Sequence, residues 1–409
     1  MKIRKRSITS SIYTIVSISS VVLSMYGVSQ TYHTFTLREV LMILVIFLCI
    51  LESARSGRIV FRLGNNATIG MFILFVVIVS MLGNTLEGNE GFYLRVIRYL
   101  VVLIFVFSLA KDYFDPVFGL KLYKYCVVFA SLFLLAQVVC ANSFNYMLKG
   151  YISWLPLRFS GLAYVNGLKR FYSIFEEPGY YGMFASGYLC IALFSDSFSW
   201  STVFLIALAS FFSTSTTAIV SFVFVVLIYI LYHNKHAKST LDKVDLKLKK
   251  YKGAKTLLVI LGIGAFAVFY NTRQFQDVLY RLQYTGSTSD RFMGYQTLAS
   301  SFSALSIPQL LYGNCMSFYS ISGYAALLMS FGIVGTVLLL AAICQSFRQT
   351  NNVGKALVVL FLFLNIGNVE FFGNASTIIV YFSFVLSLKA QNAIPRTAII
   401  PSYIKDERG

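Results

Sequence analysis

Leu41-Met-Ile-Leu-Val-Ile-Phe-Leu-Cys-Ile-Leu51 and Ile219-Val-Ser-Phe-Val-Phe-Val-Val-Leu-Ile-Tyr-Ile-Leu231 are almost continuous apolar runs. Strands of a transmembrane barrel alternate apolar and polar residues over about ten positions, so runs of this kind read as helices instead. They recur along all 409 residues, of which 57% are hydrophobic and 12% charged, with a mean hydropathy of +0.72. The expected class is therefore all-α: a polytopic helical membrane protein whose spans need about 20 apolar residues each. Such spans fall near 8–28, 37–53, 67–83, 93–110, 121–140, 180–195, 199–213, 216–233, 255–271, 321–344, 354–370 and 373–389, twelve in all. Only Ser213-Thr-Ser-Thr-Thr217 separates the seventh from the eighth.

Charge sets the orientation, because cytoplasmic connectors of membrane proteins carry an excess of Lys and Arg. With both termini on the inside, the inner segments hold 24 of the 34 cations, and the Lys-rich stretch 235–255 alone holds eight. The net charge of +18 is then mostly a topology signal, and no nucleic-acid partner is needed to explain it. Met1-Lys-Ile-Arg-Lys-Arg6 resembles the start of a signal peptide, but the apolar part is long and no small-x-small site follows, so an uncleaved first span is expected. The whole chain, 1–409, reads as one integral membrane domain without internal repeats. Its six cysteines lack metal-ligand spacing.

Two outer segments exceed what a connector needs, 141–179 and 272–320. The first ends in Gly167-Leu-Lys-Arg-Phe-Tyr-Ser-Ile-Phe-Glu-Glu-Pro-Gly-Tyr-Tyr-Gly182, which places two cations and two carboxylates between very apolar stretches. Charge is rare in such a chain and is expected where there is function. Glu176 and Glu177, ahead of Pro178, also suit a helix start, where acids favour the positive end of the dipole. That role does not account for Lys169 and Arg170, nor for Arg158 and the Trp154-containing aromatic run before them. In the second segment, 273–282 has the spacing of a short amphipathic helix bearing Arg273 and Arg281. Ser289-Asp290-Arg291 opens a further helical pattern, 292–302. An arginine there opposes the dipole but suits an anion held by free backbone N–H groups, while Asp290 alternatively forms a simple salt bridge with it.

Other polar residues carry two readings each. Arg95 and Arg98, one turn apart at the outer end of the fourth span, either snorkel to the interface or hold an anionic lipid head group, with Glu87 and Glu90 as nearby partners. The hydroxyls of 213–217 either bond back to their own backbone or line a polar cavity, Ser215 among them. Glu370, at the outer edge of the eleventh span, is a surface residue or a third carboxylate of the same cavity. His233 and His236 lack a third metal ligand. No Asp-x-Asp, Gly-x-x-x-x-Gly-Lys or Gly-x-Ser-x-Gly signature occurs, so nucleotide-dependent chemistry is unsupported. Collected by side, the outer face joins Arg158, Lys169, Arg170, Arg273, Arg281 and Arg291 to the four acids Glu176, Glu177, Asp290 and Glu370. Guanidinium forks suit phosphate oxygens and a carboxylate can take a proton from a hydroxyl, which together suit a lipid pyrophosphate.

The dozen spans, the two long outer loops, Arg170-Phe-Tyr-Ser-Ile-Phe-Glu-Glu-Pro-Gly-Tyr-Tyr-Gly182, Ser213-Thr-Ser-Thr-Thr-Ala218 and Ser289-Asp-Arg-Phe292 resemble the bacterial Wzy-type O-antigen and capsular repeat-unit polymerases. The resemblance implies an inverting-type, metal-independent and cofactor-free glycosyltransferase of the bacterial inner membrane with its active site on the periplasmic face. Its substrate would be an undecaprenyl-pyrophosphate-linked oligosaccharide in membrane lipid, and a chain-length regulator protein would be a partner. Carried onto this chain, Arg170 and Arg291 match the pyrophosphate-holding loop arginines, helped by Lys169, Arg158 and Arg281. Glu176 and Glu177 match the acidic motif, with Pro178, Tyr172, Asp290, Glu370 and Ser215 in support. O-antigen ligases share the layout but rely on a loop histidine, and the one outer histidine here is His33. A lipid-linked oligosaccharide flippase is the remaining alternative. It would place charges and broken helices within the spans.

Overall fold

The computed structural model describes residues 7–27, 36–57, 67–87, 90–146, 148–152, 155, 164–165, 168–169, 171–236, 295–296, 299–300, 305–313, 323–367 and 376–388. Eleven of the twelve expected spans are helical there, and the other, 255–271, lies outside the described residues. In chain order the helices are α1 (Ile8–Leu23), α2 (Leu37–Ser56), α3 (Ala67–Glu87), α4 (Glu90–Leu103), α5 (Ala110–Tyr113), α6 (Pro116–Ser143), α7 (Pro178–Phe194), α8 (Trp200–Phe212) and α9 (Thr216–His236). A short α10 (Ile307–Tyr312), α11 (Gly323–Gln349), α12 (Asn352–Gly367) and α13 (Ser376–Ser387) follow. The only strands among the described residues are β1 (Tyr164–Val165) and β2 (Leu168–Lys169), an antiparallel hairpin pairing Tyr164 with Lys169. Among the described residues two helices, α6 and α11, are by length and composition able to cross a membrane.

Local chemistry sets the helix ends. Ser7 caps α1 by accepting from the Ser10 N–H at 3.1 Å, and Asp115 caps α6 through the Val117 and Phe118 N–H groups, with Pro116 at the first helical position. Gly57 closes α2 in the left-handed conformation, φ 64°. The first helix stops short of residue 28 because Gly27 bridges back to Thr36 and the Leu37 N–H donates to the Tyr26 carbonyl at 2.8 Å. Along α1 and at its C-cap the hydroxyls of Thr14, Ser17, Ser20 and Ser24 donate to carbonyls three or four residues back, while Ser10 donates to the Tyr113 carbonyl and Thr14 accepts from the Asp115 N–H, which ties this serine-rich helix to the start of α6.

The interior is built around α7, buried along almost its whole length and packed by α6, α8, α9, α12 and α13. Phenols tie it in place: Tyr123 of α6 donates to the Phe184 carbonyl and Tyr381 of α13 to the Met183 carbonyl, both at 2.5 Å. Toward α9 the approach is through small residues. A Cβ on Gly182 would stand 2.3 Å from the Ala218 Cα, and one turn on Ser186 donates to Ser221 at 2.7 Å. Between α4 and α5 the helix widens into a π turn, Ile104–Leu109, whose Phe105 carbonyl accepts from the Tyr13 hydroxyl at 2.7 Å. The outer surface is apolar instead: Phe47, Leu74, Phe129, Phe204 and Val337 are each more than half exposed.

One expectation needs correcting. Arg98 neither snorkels outward nor faces a lipid head group: it is buried, and its Nε donates to Glu39 Oε1 at 3.1 Å. Arg38, also buried, donates through Nε to the same oxygen at 2.9 Å, and Thr36 brings its N–H and hydroxyl to Oε2. Glu39 stands in the first turn of α2 and Arg98 in α4, so the pairing follows from helix packing rather than from spacing within one helix. The side chains of Glu87, Glu90 and Arg95 lie outside the described residues.

Removing the shared acid leaves two guanidinium groups buried without it. Glu39→Ala is expected to destabilise the fold by about 3–5 kcal/mol, measured by thermal unfolding of the purified protein.

Candidate functional site

Three connections gather at one end of the helix bundle: the α1–α2 turn, the segment between α6 and α7, and the α8–α9 turn. The second carries the charge-dense stretch. At its start β1 and β2 pair antiparallel, Tyr164 with Lys169 and Val165 with Leu168, and the sequence places Asn-Gly, a dipeptide that favours tight hairpins, between the two strands. Lys169 takes part in that hairpin through its backbone.

After the hairpin the chain turns inward. Phe171, Tyr172, Ser173 and Phe175 are buried, and the Phe175 ring sits 5.3 Å from that of Phe184 and 6.2 Å from that of Tyr181. The Phe175 N–H donates back to the Tyr172 carbonyl at 3.0 Å, a tight turn that sends the next two residues outward again. Glu176 is half-buried and Glu177 exposed. Glu177 holds the N-cap position of α7 in extended backbone, φ −138° and ψ 153°, without using its side chain as a cap. Pro178 follows at the first helical position and is buried. Burial and the neighbouring Tyr151 push the Tyr172 phenol above its ordinary value, so it is protonated at neutral pH.

The start of α7 meets the hydroxyl-rich turn. A Cβ on Gly179 would lie 3.8 Å from Thr217 Oγ1 and 3.9 Å from Ser215 Oγ. Of the two readings for that turn, self-bonding accounts for three hydroxyls. Ser213 donates to the Ser210 carbonyl and Thr214 to the Ser213 carbonyl, both at 2.7 Å, and Ser215 caps α9 by accepting from the Ala218 N–H at 3.4 Å. Thr214 takes a left-handed backbone, φ 56°, to make the turn. Two helix N-termini, those of α7 and α9, therefore converge with Glu176 and Glu177 beside them.

Sequence reasoning missed Gln137. This buried amide of α6 accepts from the Ser173 N–H at 2.8 Å and donates to the Leu148 carbonyl at 2.9 Å and the Ser173 carbonyl at 3.2 Å. Its signal was an amide within the nearly apolar run 127–141 of α6. Nearby, the Ile152 N–H donates to the Tyr26 hydroxyl at 3.1 Å, which joins the same segment to the α1–α2 turn and so to the Arg38–Glu39–Arg98 group.

The rest of the expected constellation is only touched. Residues 295–296 and 299–300 are helical, in agreement with the pattern from 292 to 302, and the Tyr295 hydroxyl donates to the Ile366 carbonyl at 2.9 Å at the end of α12. Arg158, Arg170, Arg273, Arg281, Asp290, Arg291 and Glu370 lie outside the described residues, as do the side chains of Lys169, His233 and His236. Neither a protein-family model nor a curated protein matches the chain.

Close backbone approach makes Gly182 a sensitive position for the mouth of the site. Gly182→Leu is expected to push α7 away from α9 and cost about 1–3 kcal/mol, read as a lowered unfolding temperature.

Proposed function

We propose that the chain is an inner-membrane glycosyltransferase of the Wzy polymerase type, with about twelve spans, both termini cytoplasmic and its site on the outer face. It would transfer a growing glycan from undecaprenyl pyrophosphate to a sugar hydroxyl of another lipid-linked repeat unit. The observation that carries this reading is the acidic pair held at the mouth of α7, where the buried Phe171–Phe175 turn and the start of α9 meet at one end of the bundle. Large apolar side chains on the outside of the helices and charged groups within suit a lipid surround.

In this mechanism a carboxylate takes the proton of the acceptor hydroxyl as its oxygen attacks the anomeric carbon. The bond from that carbon to the pyrophosphate oxygen breaks, and undecaprenyl pyrophosphate departs with the negative charge. Glu177 is assigned as the base because it is exposed and caps nothing, while the half-buried Glu176 supports it. Arg170 and Arg291 are assigned to the leaving pyrophosphate, with Lys169, Arg158 and Arg281 around them. A chain-length regulator protein is the expected partner, and the reaction uses no metal or cofactor.

A second reading draws support from α11. Gly332 interrupts this helix with φ 62° and ψ −168°, and the end of α10 packs into the break: a Cβ on Gly332 would stand 2.4 Å from the Leu311 carbonyl. Interrupted helices are a feature of transporters, so a lipid-linked oligosaccharide flippase is the alternative.

Purified protein given lipid-linked repeat units separates the two, since a polymerase makes a ladder of lengths and a flippase makes none. Glu177→Gln is expected to lower the rate of polymer formation by about 10²–10⁴-fold, the range for losing a general base. Equal rates for Glu177→Gln and wild type would remove Glu177 from that role. Arg170→Ala and Arg291→Ala should each weaken binding of undecaprenyl pyrophosphate, and unchanged affinity would rule out the clamp.

A further inference from the structure

The outer segment between α6 and α7 is held at both ends by one side chain. Gln137 is fully buried near the end of α6, and its amide meets the chain at Leu148, where the segment leaves that helix, and again at Ser173, where it returns. Both backbone groups of Ser173 are engaged, N–H to Oε1 and carbonyl to Nε2. Ser173 needs such a grip, because its backbone is left-handed, φ 57°, which a residue with a Cβ adopts at a cost. Its hydroxyl adds a third tie, donating to the Ala130 carbonyl at 2.6 Å. On the other side Gly150 presses against the same residue, and a Cβ there would stand 1.7 Å from the Ser173 carbonyl oxygen.

Glu176 follows three positions later. Between the two lies the Tyr172–Phe175 turn, with Phe175 locked against Phe184 and Tyr181. A rigid path therefore runs from the Gln137 amide through Ser173 and Phe175 to the acidic pair.

We propose that Gln137 is a positioning residue for the Glu176–Glu177 pair, acting through Ser173 to set where the carboxylates stand at the mouth of α7. This rests on the reading of the pair as the site of proton removal from an acceptor hydroxyl. Gln137 touches no reacting atom. Its contribution is orientation, which in enzymes is worth up to about 10²-fold for a displacement of about 1 Å.

The experiment has two arms. In the first, Gln137→Met, which keeps the side-chain length and loses all three hydrogen bonds, is compared with wild type for polymer formation from lipid-linked repeat units. The expected result is a kcat lower by about 10–100-fold with KM changed less than about threefold. Gln137→Glu keeps an acceptor for the Ser173 N–H and should recover part of the loss. In the second arm, Glu177→Cys is labelled with a membrane-impermeant maleimide with and without Gln137→Met, the parent chain serving as the blank. A change in labelling rate of about fivefold or more is expected, as the thiol moves with the segment.

Full turnover by folded Gln137→Met, or equal labelling in the two backgrounds, overturns the positioning role while leaving the polymerase reading intact. A shifted labelling rate in a protein whose wild type makes no polymer overturns the polymerase reading, and the positioning role falls with it.

Discussion

A helix buried on every side is the constraint from which the rest of this structure follows. Helix α7 satisfies its own backbone by helical hydrogen bonding, and five neighbouring helices pack against it. Apart from a few hydroxyls such as Ser186 and Tyr181, such a helix offers no polar groups, so its neighbours approach mainly through shape and through spare lone pairs of its carbonyls. Both occur. Gly182 lets α9 come to backbone distance, and the phenols of Tyr123 and Tyr381 reach the carbonyls of Phe184 and Met183. Each phenol buries a large ring and still finds an acceptor, which is how tyrosine serves an apolar interior.

Because α7 is fixed in this way, its N-terminus is a fixed point on the surface. Whatever precedes Pro178 is delivered to one place, between the start of α9 and the end of α6. The segment that arrives there is held by Phe171 and Phe175 from below and by Gln137 from the side. Two acids at the end of a rigid path differ physically from two acids in a loose loop: their distance from a bound substrate is set before the substrate arrives. That is the link between packing and the proposed chemistry.

The charged groups divide into two kinds. Arg38, Glu39 and Arg98 are buried together and tie the first turn of α2 to the later half of α4. Glu177 is exposed and uncommitted. A composition count treats all of these as outer-side charge, yet one set is structural and the other is available to a ligand. The break at Gly332 likewise sits inside what reads as one uniform apolar run, and a glycine there looks no different from Gly335 three residues on.

By itself the sequence determined the all-helical class, the position of eleven helices to within about five residues, and the start of α7 at Pro178, because hydrophobic runs and a helix-starting proline act over one or two turns. It also marked Glu176 and Glu177 as the end of an outer segment, since Pro178 announces the helix that follows. What only the tertiary structure decided are the pairings between distant elements: Arg98 with Glu39, Gln137 with Ser173, the hydroxyl turn with Gly179, and α10 with the interruption in α11. The physical reason is common to all four. Periodicity tells which residues are apolar neighbours along one helix, whereas these contacts depend on which faces of separate helices meet. That depends on shape, such as the missing Cβ of Gly182, summed over the whole bundle.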